Sequence, residues 1–355
     1  MNTTSPQGLL IRTLTRGELE ESLPRLEDYL WSRGPRPLSY DPAWLCVLAD
    51  GMGHLPYCLE ADEAGRVRGL LALCLVKSRL WGRFLVSLPY LNYGGPVADD
   101  DRVAAALVDE AVALADRLDV RYLELRGELA LDHPGLGHVV AEKVNMRLTL
   151  PPTVGGLWEG LHSKVRNQIR KGQKAGLVVD WGGERLLPEF HDVFSRNMRD
   201  LGTPSYGRSL FRETLRRFAD RAEICVVRSG DLAVASAILL HGRGVTEVPS
   251  ASSLRLYNHT NANMLMYCNL IMRATERGQG TFDFGRSTRD SNTYRFKAQW
   301  GAIPSPSAWQ YRLRVGGLKD ARPDNPRYRR IIQIWRRLPI GLTRLVGPMI
   351  VRGIP

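Results

Sequence analysis

Cysteine, lysine and long apolar runs are all scarce in this chain of 355 residues. The five cysteines (Cys46, Cys58, Cys74, Cys225, Cys268) show no C-x-x-C spacing, so neither a zinc site nor a disulfide framework is expected, and buried reduced thiols are. The longest apolar run, Gly69 to Val76, falls far short of the roughly 18 to 20 residues that cross a bilayer. The opening segment Met-Asn-Thr-Thr-Ser-Pro-Gln-Gly lacks the charged and apolar parts of a secretory signal, and a cytoplasmic location is the expectation. No G-x-S-x-G elbow occurs, which leaves a hydrolase triad without support. Asp283-Phe284-Gly285 imitates a kinase metal motif, but neither an H-R-D loop nor a G-x-G-x-x-G loop precedes it. His133 and His138 sit in a Pro/Gly loop without a third ligand at metal spacing, so no metal site is expected.

What is present is an ordinary globular composition, 44% hydrophobic and 24% charged, which excludes collagen and long disorder. The net charge of +12 favours polyanionic partners such as RNA, anionic lipid or phosphorylated precursors. Of the 49 basic residues only seven are lysines, an arginine skew that a GC-rich genome produces without functional demand, so the placement of charge matters more than its sum. Three of those lysines fall in one predicted helix, Trp158 to Ala175, where Leu157, Trp158, Leu161, Val165 and Ile169 form an apolar stripe. Lys164, Arg166, Arg170, Lys171 and Lys174 fill the remainder, as an RNA- or phosphate-binding face or as a solvated one.

The apolar pattern predicts a strand at Leu9–Thr15, a helix at Glu18–Trp31, and an antiparallel meander through 57–60, 67–76 and 84–88. An amphipathic helix over 99–118 and a strand over 120–125 follow. Beyond Pro151 and Pro152 come helices at 158–175 and 208–218, strands at 223–228, 232–240 and 245–250, a helix at 261–277 and a strand at 281–284. The last helix and strand repeat those of the first half at an offset of about 160 residues, which argues for a duplicated α/β unit with a mixed sheet. The expected division is 1–150, 151–311 and a basic tail 312–355. The tail carries 11 Arg plus Lys against two Asp, and its apolar residues around Trp335 either dock on the body or lie on an anionic membrane.

Phe282-Asp283-Phe284-Gly285-Arg286-Ser287, followed by Tyr294-Arg295-Phe296-Lys297-Ala298-Gln299-Trp300-Gly301, forms the densest polar and aromatic cluster. Here the chain leaves a buried strand for a loop of cations and rings, and Lys297 is the sole lysine between Lys174 and Lys319. The order of elements resembles the GCN5-related acyltransferases (GNAT), and the motifs narrow the likeness to the FemAB aminoacyltransferases of peptidoglycan bridge formation. The motifs closest to FemAB-like proteins of exosortase and exopolysaccharide loci are Leu75 to Gly82, Ser87-Leu88-Pro89-Tyr90, Tyr93-Gly94-Gly95-Pro96, Lys164 to Lys171, Arg199 to Pro204, and the two segments around Arg286 and Lys297.

That resemblance implies two tandem GNAT-like domains and acyl transfer to an amine of a cell-envelope precursor, a peptidoglycan peptide or an exopolysaccharide amino sugar. Aminoacyl-tRNA and acyl-CoA stand as alternative donors, with no resident cofactor. No long helical hairpin of the kind that serves tRNA in bridge enzymes is visible, and the nearest pyrophosphate loop, Arg277-Gly278-Gln279-Gly280, follows a helix instead of preceding one. Lys297 is assigned the oxyanion charge. Tyr93, Gly94, Gly95, Arg286, Tyr294, Arg295 and Phe296 are expected to line the substrate site, and Lys164, Arg166, Arg170 and Lys171 to contact RNA. The opposing hypothesis is a non-catalytic glycan- or RNA-binding scaffold on a degenerate acyltransferase fold. Peripheral contact of the tail with the inner face of the membrane is the alternative to its docking on the body of the protein.

Overall fold

Two mixed sheets carry the molecule in a computed structural model that describes residues 2–4, 8–78, 81–317 and 329–354. Residues 79 and 80 of the Leu75–Gly82 motif, and 318–328 of the tail with Lys319, lie outside the described residues. In the first half the elements are β1 (Asn2–Thr4), β2 (Leu9–Leu14), α1 (Arg16–Ser32), α2 (Trp44–Met52), β3 (Leu55–Glu63), β4 (Arg66–Ser78), β5 (Gly82–Val86), β6 (Val97–Ala98), α3 (Asp101–Arg117), β7 (Tyr122–Gly127) and β8 (His138–Val140). The chain continues through β9 (Lys143–Thr149), α4 (Val154–Gly160), α5 (Ser163–Lys174), β10 (Leu177–Gly182), α6 (Leu187–Leu201), α7 (Arg208–Arg217), β11 (Ala222–Ser229), β12 (Leu232–His241) and β13 (Val245–Ser253). It closes with α8 (Ala262–Glu276), β14 (Thr281–Thr288), α9 (Asn292–Ala298), β15 (Ile303–Ser305), β16 (Ala308–Leu313), α10 (Arg329–Arg337) and α11 (Ile340–Val351).

The sheets run β1-β2-β3-β4-β5-β7-β16-β8 and β10-β11-β12-β13-β14-β9-β15, with β6 paired to β4. Beyond β1, which extends the first sheet antiparallel to β2, each unit has four antiparallel strands and then a single parallel contact, β5 with β7 and β13 with β14. The helix before each of those closing strands, α3 or α8, supplies the crossover that a parallel neighbour requires. The two units therefore share one strand order, as the 160-residue offset predicts. The second unit also has a leading strand, β10, where the pattern suggested one only in the first.

Past this point the halves exchange chain. β9 precedes residue 150 yet pairs with β14, and β16, which spans the expected boundary at 311, pairs with β7. β8 and β15 stay at their own sheet edges, each paired to the strand that has crossed over. The central core lies between the sheets and mixes α1 and α2 of one unit with α6 and α7 of the other, through Leu26, Trp44, Phe190 and Phe211 among others. Outside it, α3 covers the first sheet, while α4, α5 and α8 cover the second.

Local chemistry sets the element ends. Asp100 accepts from the Val103 N–H at 2.8 Å to start α3, and Glu18 takes the Thr15 N–H at 3.0 Å to start α1. The expected helix at 158–175 is two, because Leu161 turns extended and His162 caps a new start at Lys164 N. Tyr294 to Gly301, read as a loop, begins with the helical turn of α9, capped by Ser291 Oγ accepting from Tyr294 N.

Cutting the chain after Glu142 removes β16 and leaves the β7 edge unpaired. Circular dichroism and light scattering should find that fragment unfolded or aggregated, whereas the intact chain unfolds in one cooperative step. A folded, monomeric 1–142 fragment would show that the exchange is dispensable.

Candidate active site

Where a parallel pair of strands parts, a sheet opens a cleft whose walls are backbone. In the second unit the last paired residues are Glu247 and Asp283, after which β13 and β14 separate. Both carboxylates are buried there. Ser39 donates its N–H at 2.9 Å and its hydroxyl at 2.5 Å to Glu247, which burial pushes up to about 7 despite those bonds. Asp283 accepts from Arg147 Nε at 3.0 Å, from the Gly285 N–H at 2.7 Å and from the Tyr93 hydroxyl. Arg147 also grips Glu128 with two bonds of 2.9 Å.

One residue beyond Asp283 the register of β14 against β9 shifts, and Gly285 takes φ +73°, a left-handed conformation that a side chain would strain. A Cβ there would also lie 2.9 Å from the Asn92 amide. The carbonyls released by this bulge point at α9, where Lys297 Nζ donates to Gly285 O at 3.0 Å and to Arg286 O at 2.9 Å. Lys297 is buried, and its ammonium is pushed down to about 8 by that burial, partly offset by the negative charge of Asp283. An ammonium has three donors, so one remains for a ligand. Phe296 and Trp300 pack with Tyr267 and fix α9 against α8.

The side chain of Arg286 leaves on the side of the first sheet. Its guanidinium lies 3.3 Å from the Trp309 ring centroid, and Arg126 lies 4.1 Å from the same ring. Arg126 is bonded to Glu124 Oε1 at 2.7 Å and to Leu91 O at 2.9 Å, whereas Arg286 Nε is buried with no hydrogen-bond partner. Burial, and then the charge of Arg126, push the Arg286 guanidinium down to about 10. Two cations thus share one ring and one nearby carboxylate, an arrangement that an added anion would relieve.

The residues expected from sequence divide by place. Lys297, Arg286, Phe296, half-buried Tyr294 and exposed Arg295 gather on α9 and the β14 bulge. Tyr93, Gly94 and Gly95 are buried, and they serve contacts within the protein. The Tyr93 hydroxyl meets Asp283, and the N–H groups of Gly94 and Gly95 both donate to Arg126 O at 3.0 Å. A Cβ on Gly94 would come within 2.6 Å of Ser87 O, so the close approach these glycines permit is that of the chain to itself. On α5, Lys164, Arg170 and Lys171 are exposed on a face without an acid, while Arg166 turns back to the carbonyls of Trp158 and Glu159.

Glu247, Arg147, Arg126 and Trp309 were not singled out from sequence. Each comes from a different strand and acquires its role only through pairing. Arg277-Gly278-Gln279-Gly280 closes the C-terminal end of α8, with Gly278 N bonded to Thr275 O and Arg277 tied to Glu223 at 3.0 Å. That end of a helix presents carbonyls and repels a pyrophosphate.

Residues 161–298 match the family described as acetyltransferase (GNAT) domain. A comparison with curated protein sequences gave no match. Among solved structures, FemX is similar at 14% identity and TM-score 0.62, covering 87% of this chain and 98% of that one. The C-terminal domain of a candidate lysylphosphatidylglycerol synthetase from Agrobacterium fabrum is similar at 14% identity and TM-score 0.55, covering 82% and 92%. A tandem GNAT protein from the clavulanic acid biosynthesis pathway follows at 13% identity and TM-score 0.53, covering 85% and 97%. The second unit contains the residues matched to the acetyltransferase (GNAT) domain, an acyltransferase domain, and the chain as a whole shares the two-unit fold of these structures.

Proposed function

We propose that the protein transfers an aminoacyl group from aminoacyl-tRNA to an amine of an anionic cell-envelope precursor. The observation that carries this reading is the pair of cations on the two sides of the β14 bulge. Lys297 presents a buried ammonium with a donor to spare, and Arg286 a guanidinium short of an anion. Likeness to FemX, a FemAB-family protein, and to a lysylphosphatidylglycerol synthetase supports aminoacyl transfer and an envelope acceptor. The basic face of α5 supports RNA as the donor's carrier, and the use of residues 277–280 as a helix end speaks against a CoA pyrophosphate there.

In this reading an amine attacks the ester carbonyl, and negative charge grows on its oxygen as the tetrahedral intermediate forms. Its collapse leaves the amide, breaks the ester C–O bond and releases the ribose oxygen of the tRNA as a hydroxyl carrying the proton that the amine gives up. Lys297 faces the carbonyl oxygen with its third N–H, in surroundings where burial strengthens the attraction. Arg286 orients a phosphate or carboxylate of the acceptor.

Lys297→Met removes the charge and should lower turnover about 100- to 1000-fold. It also leaves two carbonyls without their donor, at a cost of about 1–3 kcal/mol, so thermal melts accompany the rates. Because the ammonium is charged below about 8, turnover of the native protein should fall as pH rises through that value. Lys297→Arg should retain more activity than Met and lose the alkaline fall, since a guanidinium stays protonated. Turnover within about threefold of wild type in both variants, a change under roughly 1 kcal/mol, would make Lys297 structural.

Binding of tRNA should weaken steeply with salt. Lys164→Ala, Arg170→Ala and Lys171→Ala together should lower the slope of log affinity against log salt by about 2–3, because each phosphate contact contributes roughly 0.7–0.9. An unchanged slope removes α5 from the interface.

A further inference from the structure

The tail does two things at once, and the acyl-transfer reading uses neither. Its inner face docks. Trp335, Thr343, Gly347 and Val351 are buried, Gly347 packs so closely that a Cβ would lie 3.1 Å from Ser205 N, and Arg344 binds Asp192 together with Ser195 Oγ at 2.8 Å. The end of α11 crosses to the first unit, where the Tyr90 hydroxyl bonds Arg352 O at 3.2 Å. The outer face is left apolar. Ile331 and Ile334 on α10, and Leu342, Leu345 and Met349 on α11, recur at helical spacing and are 43–75% exposed.

Charge decides what this face fits. From Arg329 to Pro355 the sequence holds six arginines and no Asp, Glu or Lys. Arg336, Arg337 and Arg352 are exposed at the rim, while Asp192 and Asp200 on neighbouring α6 are already paired to arginines. Large apolar side chains bordered by cations of one sign match a surface that offers hydrocarbon beneath a layer of negative headgroups. Neither helix can cross that layer, for α10 has nine residues and α11 twelve. We propose that the outer face of α10 and α11 docks on an anionic lipid bilayer, with the helix pair lying in the interfacial plane. The junction of the two units, tied to the end of α11 through Tyr90, is then held close to the bilayer surface.

The test is flotation of the full chain with phosphatidylcholine vesicles and with vesicles of equal parts phosphatidylcholine and phosphatidylglycerol, at low and high salt. Binding to the anionic vesicles, absent from the neutral ones and falling with salt, is expected. Leu345→Ser with Met349→Ser should weaken that binding at least about tenfold. Both side chains are exposed, so the variant's thermal melt should match wild type. Arg337→Glu should weaken binding to the anionic vesicles. Equal binding to both vesicle types, no binding to either, or full binding by the double variant would overturn the proposal. So would light scattering that finds a dimer converted to monomer by the double variant, because a second copy would then cover the face. Vesicle binding requires no turnover, so its failure and that of the acyl-transfer reading are separately visible.

Discussion

Each sheet is completed by a strand that chain order assigns to the other half, and the rest of the molecule follows from that reciprocal exchange. β9 lies between β14 and β15, and β16 lies between β7 and β8. The two chain halves cannot part without breaking four ladders, β9 with β14 and β15 and β16 with β7 and β8, so they are fixed relative to one another far more firmly than by side-chain packing alone. The mixed core between the sheets, with two helices from each unit, is the packing consequence. A site assembled from both halves needs this rigidity, because a loose hinge would leave its charged groups without fixed partners.

The exchange also sets the electrostatics. By crossing over, β9 delivers Arg147 to Asp283, and β16 delivers Trp309 to Arg126 and Arg286. The loop of the first unit in turn inserts Tyr93 beside Asp283. Carboxylates satisfy most of these cations. Arg286 and Lys297 are the exceptions, since one has an unpartnered nitrogen and the other bonds only to carbonyls. Both lie beside the bulge at Gly285, beyond the point where the parallel strands part, with Lys297 bonded to its carbonyls and Arg286 turned onto Trp309.

Three concentrations of positive charge differ in their surroundings. The bulge concentrates charge in a buried place suited to a developing oxyanion. The face of α5 spreads it over an exposed helix suited to a phosphate backbone, and the tail combines it with exposed apolar residues. A net charge of +12 sums over all three and distinguishes none of them. Placement and burial separate them, because desolvation strengthens the interactions of Lys297 while solvent and salt screen those of Lys164 and Lys171.

Much of this was legible in the amino-acid order. The duplication, the meanders, α3 and α8 follow from periodicity and local chemistry, which neighbours in sequence determine. The helix α2 was not legible, since seven of its nine residues are buried and no polar face marks the period. α6 did carry a readable stripe, with Leu187, Phe190 and Phe194 at helical spacing behind Pro188. Tyr93, Gly94 and Gly95 were expected to line the substrate site, whereas their buried contacts are with the protein itself. The sequence by itself determined the meander strands, the amphipathic helices α1, α3 and α8, and where the cations lie along the chain. Tertiary structure alone decided that β9 and β16 cross, that Tyr93 is buried and that Arg286 lacks an anion. Strand pairing and desolvation depend on residues more than a hundred positions away, and no local pattern encodes them.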